Sequence, residues 1–176
     1  AGMEFNIVHV GIAGQHIKSL HNRGILTREE PQSEITKDDV EKIIRDMQRL
    51  ALPPGDKILH VIPQEFTVDE EEGIIDPVGM SGARLEGNFH VITGKLSAAN
   101  NINRSVEKAG LKVADITLEP IASASSVLSD QEKVAGVALV DRGGGTTEVT
   151  IFQEGIIRHT AVIPFGGNII TKDIKE

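Results

Sequence analysis

Apolar positions recur at two different spacings along this chain, and the switches between them mark out its elements. The run Phe5–Gly14 (FNIVHVGIAG) is apolar, rich in β-branched residues and closed by glycine, which predicts a buried strand. His16–Thr27, with Asn22-Arg23-Gly24 at its middle, predicts a hairpin or loop leading into a short strand. Residues 29–36 are polar and contain Pro31, so a loop is expected there. The spacing then turns helical: Val40, Ile43, Ile44, Met47 and Leu50 fall on one face. Thr36 and Asp39 have the spacing of a capping box, and Arg45 and Arg49 suit the C-terminal end of the helix dipole. Pro53-Pro54-Gly55 stops this helix.

Two extended runs follow, KILHVIPQEFTVD and ARLEGNFHVITG, separated by the turn-rich EEEGIIDPVGMSG. The helix over 37–51 is expected to lie on a sheet built from 58–69 and 83–94. Pro63 places the first run at a sheet edge or a bend. Asp69-Glu70-Glu71-Glu72 reads as a solvated turn, and Ile74, Ile75, Val78, Met80 and Leu85 as a contact patch or as the end of a local core. A second helix is predicted over 96–109, apolar at Leu96, Ala99, Ile102, Val106 and Ala109 and closed by Gly110. KVADITLEP is a strand, and IASASSVLSDQEK one short helix. GVALVD, TTEVTIF and IIRHTAVIPF are three strands of an antiparallel meander, and residues 166–176 turn into a helix.

Composition narrows the class. The 176 residues, 39% hydrophobic and 25% charged, suit one ordinary domain or two small halves. A net charge of −8, dispersed along the chain, argues against a nucleic-acid partner. Without cysteine there are no disulfides and no thiolate chemistry, which fits a reducing compartment. No apolar run approaches the roughly 18 residues of a membrane span. The chain opens almost within a strand and stops in the first turns of a helix, so it reads as a piece of a larger protein.

The chemistry concentrates in VDRGGGTTEV, residues 140–149. Three consecutive glycines between strands have two readings. The first is a hairpin turn with positive φ, for which one or two glycines suffice. The second is phosphate binding: successive N–H groups of Gly143, Gly144 and Gly145 converge on an anion, and the missing Cβ atoms let it approach. Thr146 and Thr147 add donors, and Asp141 at the strand end can order a hydrated Mg²⁺. The six histidines show no ligand pair at useful spacing.

VDRGGGTTEVTIF resembles the second phosphate loop of the actin, Hsp70 and sugar-kinase superfamily, and LEPIASA resembles the Glu-Pro segment that precedes it. The stretch LHVIPQEFTVDEEEGIIDPVGMSGARLEGNFHVITG is more specific, and looks like the inserted subdomain of the FtsA family of bacterial division proteins. VGIAGQHI and IIRHTAVIPFGGNIITKDI look like FtsA too, so the resemblance covers nearly the whole chain in order.

The resemblance implies part of an actin-like, ribonuclease H-like ATPase fold of α/β class, with a small α/β subdomain inserted. Residues 1–13 would be a strand of the first actin-like domain and 14–93 the insert. Residues 94–134 would return to the first domain, and 135–176 would open the second. It implies ATP and Mg²⁺ as ligands, with Asp141, Gly143, Gly144, Gly145, Thr146 and Thr147 around the phosphates. Glu119 would position the metal or the attacking water, although it could equally cap the helix at Pro120. Gly166 and Gly167 would face the nucleotide, or simply start a helix. FtsZ and later division proteins would be partners, with self-association into filaments, at the cytoplasmic face of the membrane at the division site. Membrane contact would come only through a C-terminal helix beyond this chain, and turnover would be at most that of a slow ATPase. Another ATPase of the superfamily, an exopolyphosphatase, sugar kinase or chaperone, is the alternative, and the insert argues against it. Two positions depart from the pattern. Arg142 stands where relatives carry an aliphatic residue, so it needs a carboxylate or an open face; Glu148 stands where many have Asp.

Overall fold

The computed structural model describes residues 5–30 and 32–175. Among these the strands are β1 (Ile7–Ile12), β2 (Lys18–Thr27), β3 (Asp56–Val68), β4 (Glu71–Ile74), β5 (Arg84–Lys95), β6 (Lys112–Leu118), β7 (Val137–Arg142), β8 (Thr147–Gln153) and β9 (Ile156–Ile163). The helices are α1 (Lys37–Met47), α2 (Leu96–Lys108), α3 (Glu119–Val127), α4 (Asp130–Ala135) and α5 (Gly167–Asp173). The chain divides into two compact units. One comprises Ala1–Ser19, Pro53–His60 and Ile92–Glu176; the other comprises Leu20–Leu52 and Val61–Val91.

The second unit holds α1 and most of a four-stranded sheet in the order β2-β5-β3-β4. Its apolar interior is Ile35, Ile43, Met47, Phe66, Val68, Leu85, Phe89 and Val91. The capping box at α1 forms as the spacing predicts: the Asp39 N–H donates to the Thr36 hydroxyl, and the Asp39 carboxylate accepts from the Thr36 N–H. The Thr36 N–H holds the Asp39 carboxyl below its ordinary range, burial acting against it and the Thr36 hydroxyl and nearby Arg28 charge adding to it. Instead of a hairpin at 16–27 there is one continuous ten-residue strand. Gly24 sits inside it because a Cβ there would lie 2.9 Å from Ile43 and 3.2 Å from Met47 and Phe89. The glycine marks where α1 presses on the sheet, not a turn.

The solvated turn expected over 69–72 is shorter than predicted. Asp69, at φ 53°, turns the chain, and Glu71 already belongs to β4, paired with Val68. The Asp69 carboxylate accepts from the Ala83 and Arg84 N–H groups at 3.0 and 2.8 Å, so it fastens the start of β5. Pro63 lies outside the stretch of β3 registered with β4, which spans Phe66–Val68, and so withholds no donor from that partner.

In the first unit β1 and β6 pair in parallel, from Ile7↔Lys112 to Ile12↔Leu118. The buried strand expected at 5–14 is buried only at its end: Ile12 is enclosed, while Ile7 is 63% exposed. Among the described residues β1 has one strand neighbour, and Glu119 of α3 lies over Gly11. α2 packs on β6. The single helix expected over 121–133 is two, because Leu128 is extended (φ −102°, ψ 132°) and Ser129 opens α4 with a reciprocal cap to Glu132. β7, β8 and β9 form the predicted antiparallel meander, and α3 packs against β1, β6, β7 and β8.

Candidate functional site

The turn joining β7 to β8 carries the glycine triplet, closed by the Gly143 N–H donating to the Thr146 carbonyl at 2.9 Å. None of the three glycines adopts positive φ, so the hairpin reading does not explain them. Contact with the start of α5 explains part of the pattern. The Gly143 carbonyl accepts from the Gly167 N–H at 3.0 Å, and the Gly144 carbonyl from the Asn168 N–H at 2.9 Å. A Cβ on Gly144 would meet the Asn168 side chain at 3.1 Å; one on Gly166 would lie 2.5 Å from the Gly144 oxygen. Gly166 and Gly167 thus brace the turn, which is more than an ordinary helix start.

Gly145 is different. A Cβ there would meet nothing within 4 Å, and among the described residues neither the Gly144 nor the Gly145 N–H donates a hydrogen bond. The exposed rim of the turn therefore carries two successive N–H donors that no acceptor among the described residues takes, the kind of group an anion binds. Thr146 lines the adjoining cavity. The Thr147 hydroxyl is spent elsewhere, donating to the Phe165 carbonyl at 2.6 Å. Among the described residues Arg142 pairs with no carboxylate: it is exposed, with its guanidinium 5.7 Å from the centre of the Phe165 ring. Its face of β7 is open, so no buried charge needs compensating.

Beside the turn, Glu119, Asp141, Gly143, Thr146 and Glu148 line a cavity of about 40 Å³. Three carboxylates from three elements meet there, each tethered differently. Glu119 opens α3 at the end of β6; it makes no capping bond, and its stem lies over Gly11. The preceding Leu118 N–H donates to Nε2 of His60 at 2.9 Å, and burial keeps that imidazole's pKa below its ordinary value against the pull of Asp115. Asp141 accepts from the Ser123 hydroxyl at 2.8 Å. Glu148, only 4% exposed, accepts from the Gly14 N–H at 3.3 Å and stands opposite Asp141 in the β7–β8 register. A larger cleft of about 610 Å³ adjoins Glu119 and Asp141 and runs between α3 and β7, lined by Ala122, Ser123, Ser126 and Leu139.

Like charges facing each other across a strand pair destabilise it, so the cluster favours a cation. Among the described residues no group of three or more acidic or histidine side chains is arranged to hold a metal ion between them. A cation here would be met through its waters, the habit of Mg²⁺. The turn thus sets two unspent N–H groups, donors suited to an anion, beside three carboxylates, charges suited to a cation. Sequence reasoning weighed Glu148 only as a longer Asp; it missed the face-to-face pairing with Asp141, and it missed Ser123 altogether.

Glu148 yields a pH prediction. Burial raises its carboxyl pKa above the ordinary 4.5, the Glu119 and Asp141 charges add to the rise, and the Gly14 N–H opposes it. A raised folded pKa means this group's stabilisation is complete below the unfolded value and is lost as pH climbs through the folded one. Glu148→Gln should therefore raise the stability of the metal-free protein at neutral pH by about 0.5–1 kcal/mol. It should also flatten the fall in melting temperature between mildly acidic and neutral pH. Thermal melts of both forms across that range would check it, and an unchanged slope would refute it.

Comparison with known proteins places these features. The family described as "SHS2 domain inserted in FTSA" matches residues 14–93, and the family described as "Cell division protein FtsA" matches residues 138–176. The chain is similar to the cell division protein FtsA of Pseudomonas aeruginosa, 47% identical over 99% of this chain. It is also similar to those of Neisseria meningitidis (42% over 97%) and Escherichia coli (38% over 99%). It spans 41% of the length of each of these relatives. Among solved structures it resembles a chain of the PilM-PilN type IV pilus biogenesis complex, with a TM-score of 0.68 over 98% of this chain and 46% of that one. At 12% identity that likeness speaks to the fold alone. The fold is actin-like with an inserted subdomain, and the chain belongs to the FtsA family of cell-division proteins.

Proposed function

We propose that the complete protein is a cell-division adaptor that binds ATP with Mg²⁺ at the glycine turn and assembles into filaments on the cytoplasmic face of the membrane. In that role it links the FtsZ ring to later division proteins at the division site. Residues 1–13 and 94–134 belong to the first actin-like domain, 14–93 to the insert and 135–176 to the second actin-like domain. The observation that carries the nucleotide reading is the pair of unspent N–H groups at Gly144 and Gly145 beside the Glu119–Asp141–Glu148 cluster.

In this proposal these residues divide the labour. Gly144, Gly145 and Thr146 receive the phosphates; Gly143, expected among the donors, has its N–H spent on the Thr146 carbonyl and instead closes the turn, which Thr147, Gly166 and Gly167 hold in shape. Asp141 and Glu148 would hold such a cation through its waters, and Glu119 would orient the cation or an attacking water. Bound Mg²⁺ would supply charge neutralisation at the phosphates. With nucleotide binding serving assembly, turnover is at most slow, and the insert is a docking surface rather than part of the active site. Among the described residues no helix is long and apolar enough to cross a membrane.

Gly145→Val tests this reading cleanly, because the added side chain enters open space and leaves the fold alone. In calorimetric titration of the complete protein it should weaken ATP by at least about tenfold, the loss of about 1.4 kcal/mol of contact. The melting temperature without nucleotide should not move. ATP affinity equal to that of the unaltered protein would overturn the proposal.

A further inference from the structure

Three serines lie on α3, and they do not behave alike. Ser125 donates its hydroxyl to the Ile121 carbonyl at 2.9 Å and Ser126 to the Ala122 carbonyl at 3.2 Å, each one turn back on its own helix. That is the ordinary habit of a mid-helix serine. Ser123 instead reaches off the helix and donates to Oδ2 of Asp141 on β7, eighteen positions along the chain, at 2.8 Å. Its wall of the helix, with Ala122 and Ser126, lines the larger cleft, and Asp141 lines both that cleft and the small acidic cavity.

We infer that Ser123 is a positioning residue, which fixes the Asp141 carboxylate toward the cation and sets how tightly that cation is held. The inference rests on the reading of Asp141 as the carboxylate on the Mg²⁺ side. A hydroxyl donating to a carboxylate is a charge-assisted bond, short and directional. With Oδ2 fixed by Ser123, the plane of the carboxylate is set before the ion arrives. A carboxylate that binds through water depends on this, because the hydrated ion cannot correct a misplaced acceptor without giving up other water contacts. α3 also begins with Glu119. One short helix therefore places one carboxylate directly and orients a second through Ser123, so the two cannot shift independently.

The test uses the complete protein, with ATP present and Mg²⁺ or Mn²⁺ titrated as the probe. Ser123→Ala should raise the metal concentration needed for half-maximal ATP binding by about tenfold, the usual cost of losing a partner behind a ligand. ATP affinity at saturating metal should stay nearly unchanged. Ser123→Thr, which keeps the hydroxyl, should restore the normal metal requirement. If Ser123→Ala lowers the melting temperature while the metal requirement stays put, the hydroxyl merely ties α3 to β7 and the inference is overturned. Asp141→Asn separates the two levels of the argument. Should it leave the metal requirement unchanged, the reading of Asp141 itself fails; should it raise the requirement while Ser123→Ala does not, only the role given to Ser123 fails.

Discussion

Gly166→Ala is expected to destabilise the protein by about 3 kcal/mol, near the top of the range for overpacking, and to abolish ATP binding with it. The substitution adds one carbon, and strain at φ is not the cause, since Gly166 is extended at φ −143°, ψ −171°. The difficulty is what the carbon meets: the Gly144 oxygen at 2.5 Å, the Gly144 carbonyl carbon at 2.6 Å and the Gly143 oxygen at 2.7 Å. All three are backbone atoms, so no side chain can swing away. Relief requires the turn to move off α5, which stretches the bonds from the Gly167 and Asn168 N–H groups and displaces the free donors at Gly144 and Gly145. Gly167→Ala is the control, because its Cβ would have its nearest neighbour at an ordinary 3.8 Å. Denaturant melts should separate the two variants, and nucleotide titration should follow the melts. A Gly166→Ala protein with native stability would show that turn and helix start are not in contact.

Phe89→Ala should cost roughly 3–5 kcal/mol, the usual penalty for emptying a large aromatic site in a core. Phe89 is fully buried on β5 and meets Phe66 edge-on, ring centres 6.2 Å apart at 88°. It also fills the space left by Gly24 and Gly87, two positions with no side chain of their own to collapse into the hole. Chemical denaturation should show the second unit losing protection first. Against it stands Ile75→Glu. The five apolar residues of the segment 74–85 do not share one fate: Leu85 is fully buried, whereas Ile75 is 57% exposed and Val78 39%. Ile75→Glu should thus leave stability within about 0.5 kcal/mol while impairing self-assembly or recruitment of division proteins by the complete protein. Normal filaments and normal recruitment would remove the docking role, and a lost fold would mean that Ile75 is core.

What the sequence determined by itself is what short-range chemistry controls. The α1 cap needs only Thr36 and Asp39 three residues apart, whereas the helix ends at Met47, short of Pro53-Pro54, so the prolines do not set its stop. The meander needs alternation broken by glycines. Even the facing of Asp141 and Glu148 was within reach, because a closed four-residue connection from 143 to 146 puts 142 opposite 147 and 141 opposite 148. Tertiary structure decided whatever depends on a neighbour distant in the chain. Gly24 reads as a turn until α1 is seen pressing on β2, since a glycine looks the same locally whether it bends the chain or admits a helix. The triplet Gly143–Gly145 likewise reads as either a positive-φ hairpin or a phosphate turn, and its contact with the start of α5 stays hidden until Gly166, more than twenty residues on, is found against its carbonyls. Ser123 carries no signal at all: three serines on one helix are equivalent until β7 places a carboxylate beside one of them. The site is assembled from α3, β7, β8 and the start of α5, and contacts between separate elements leave no periodicity in any one of them.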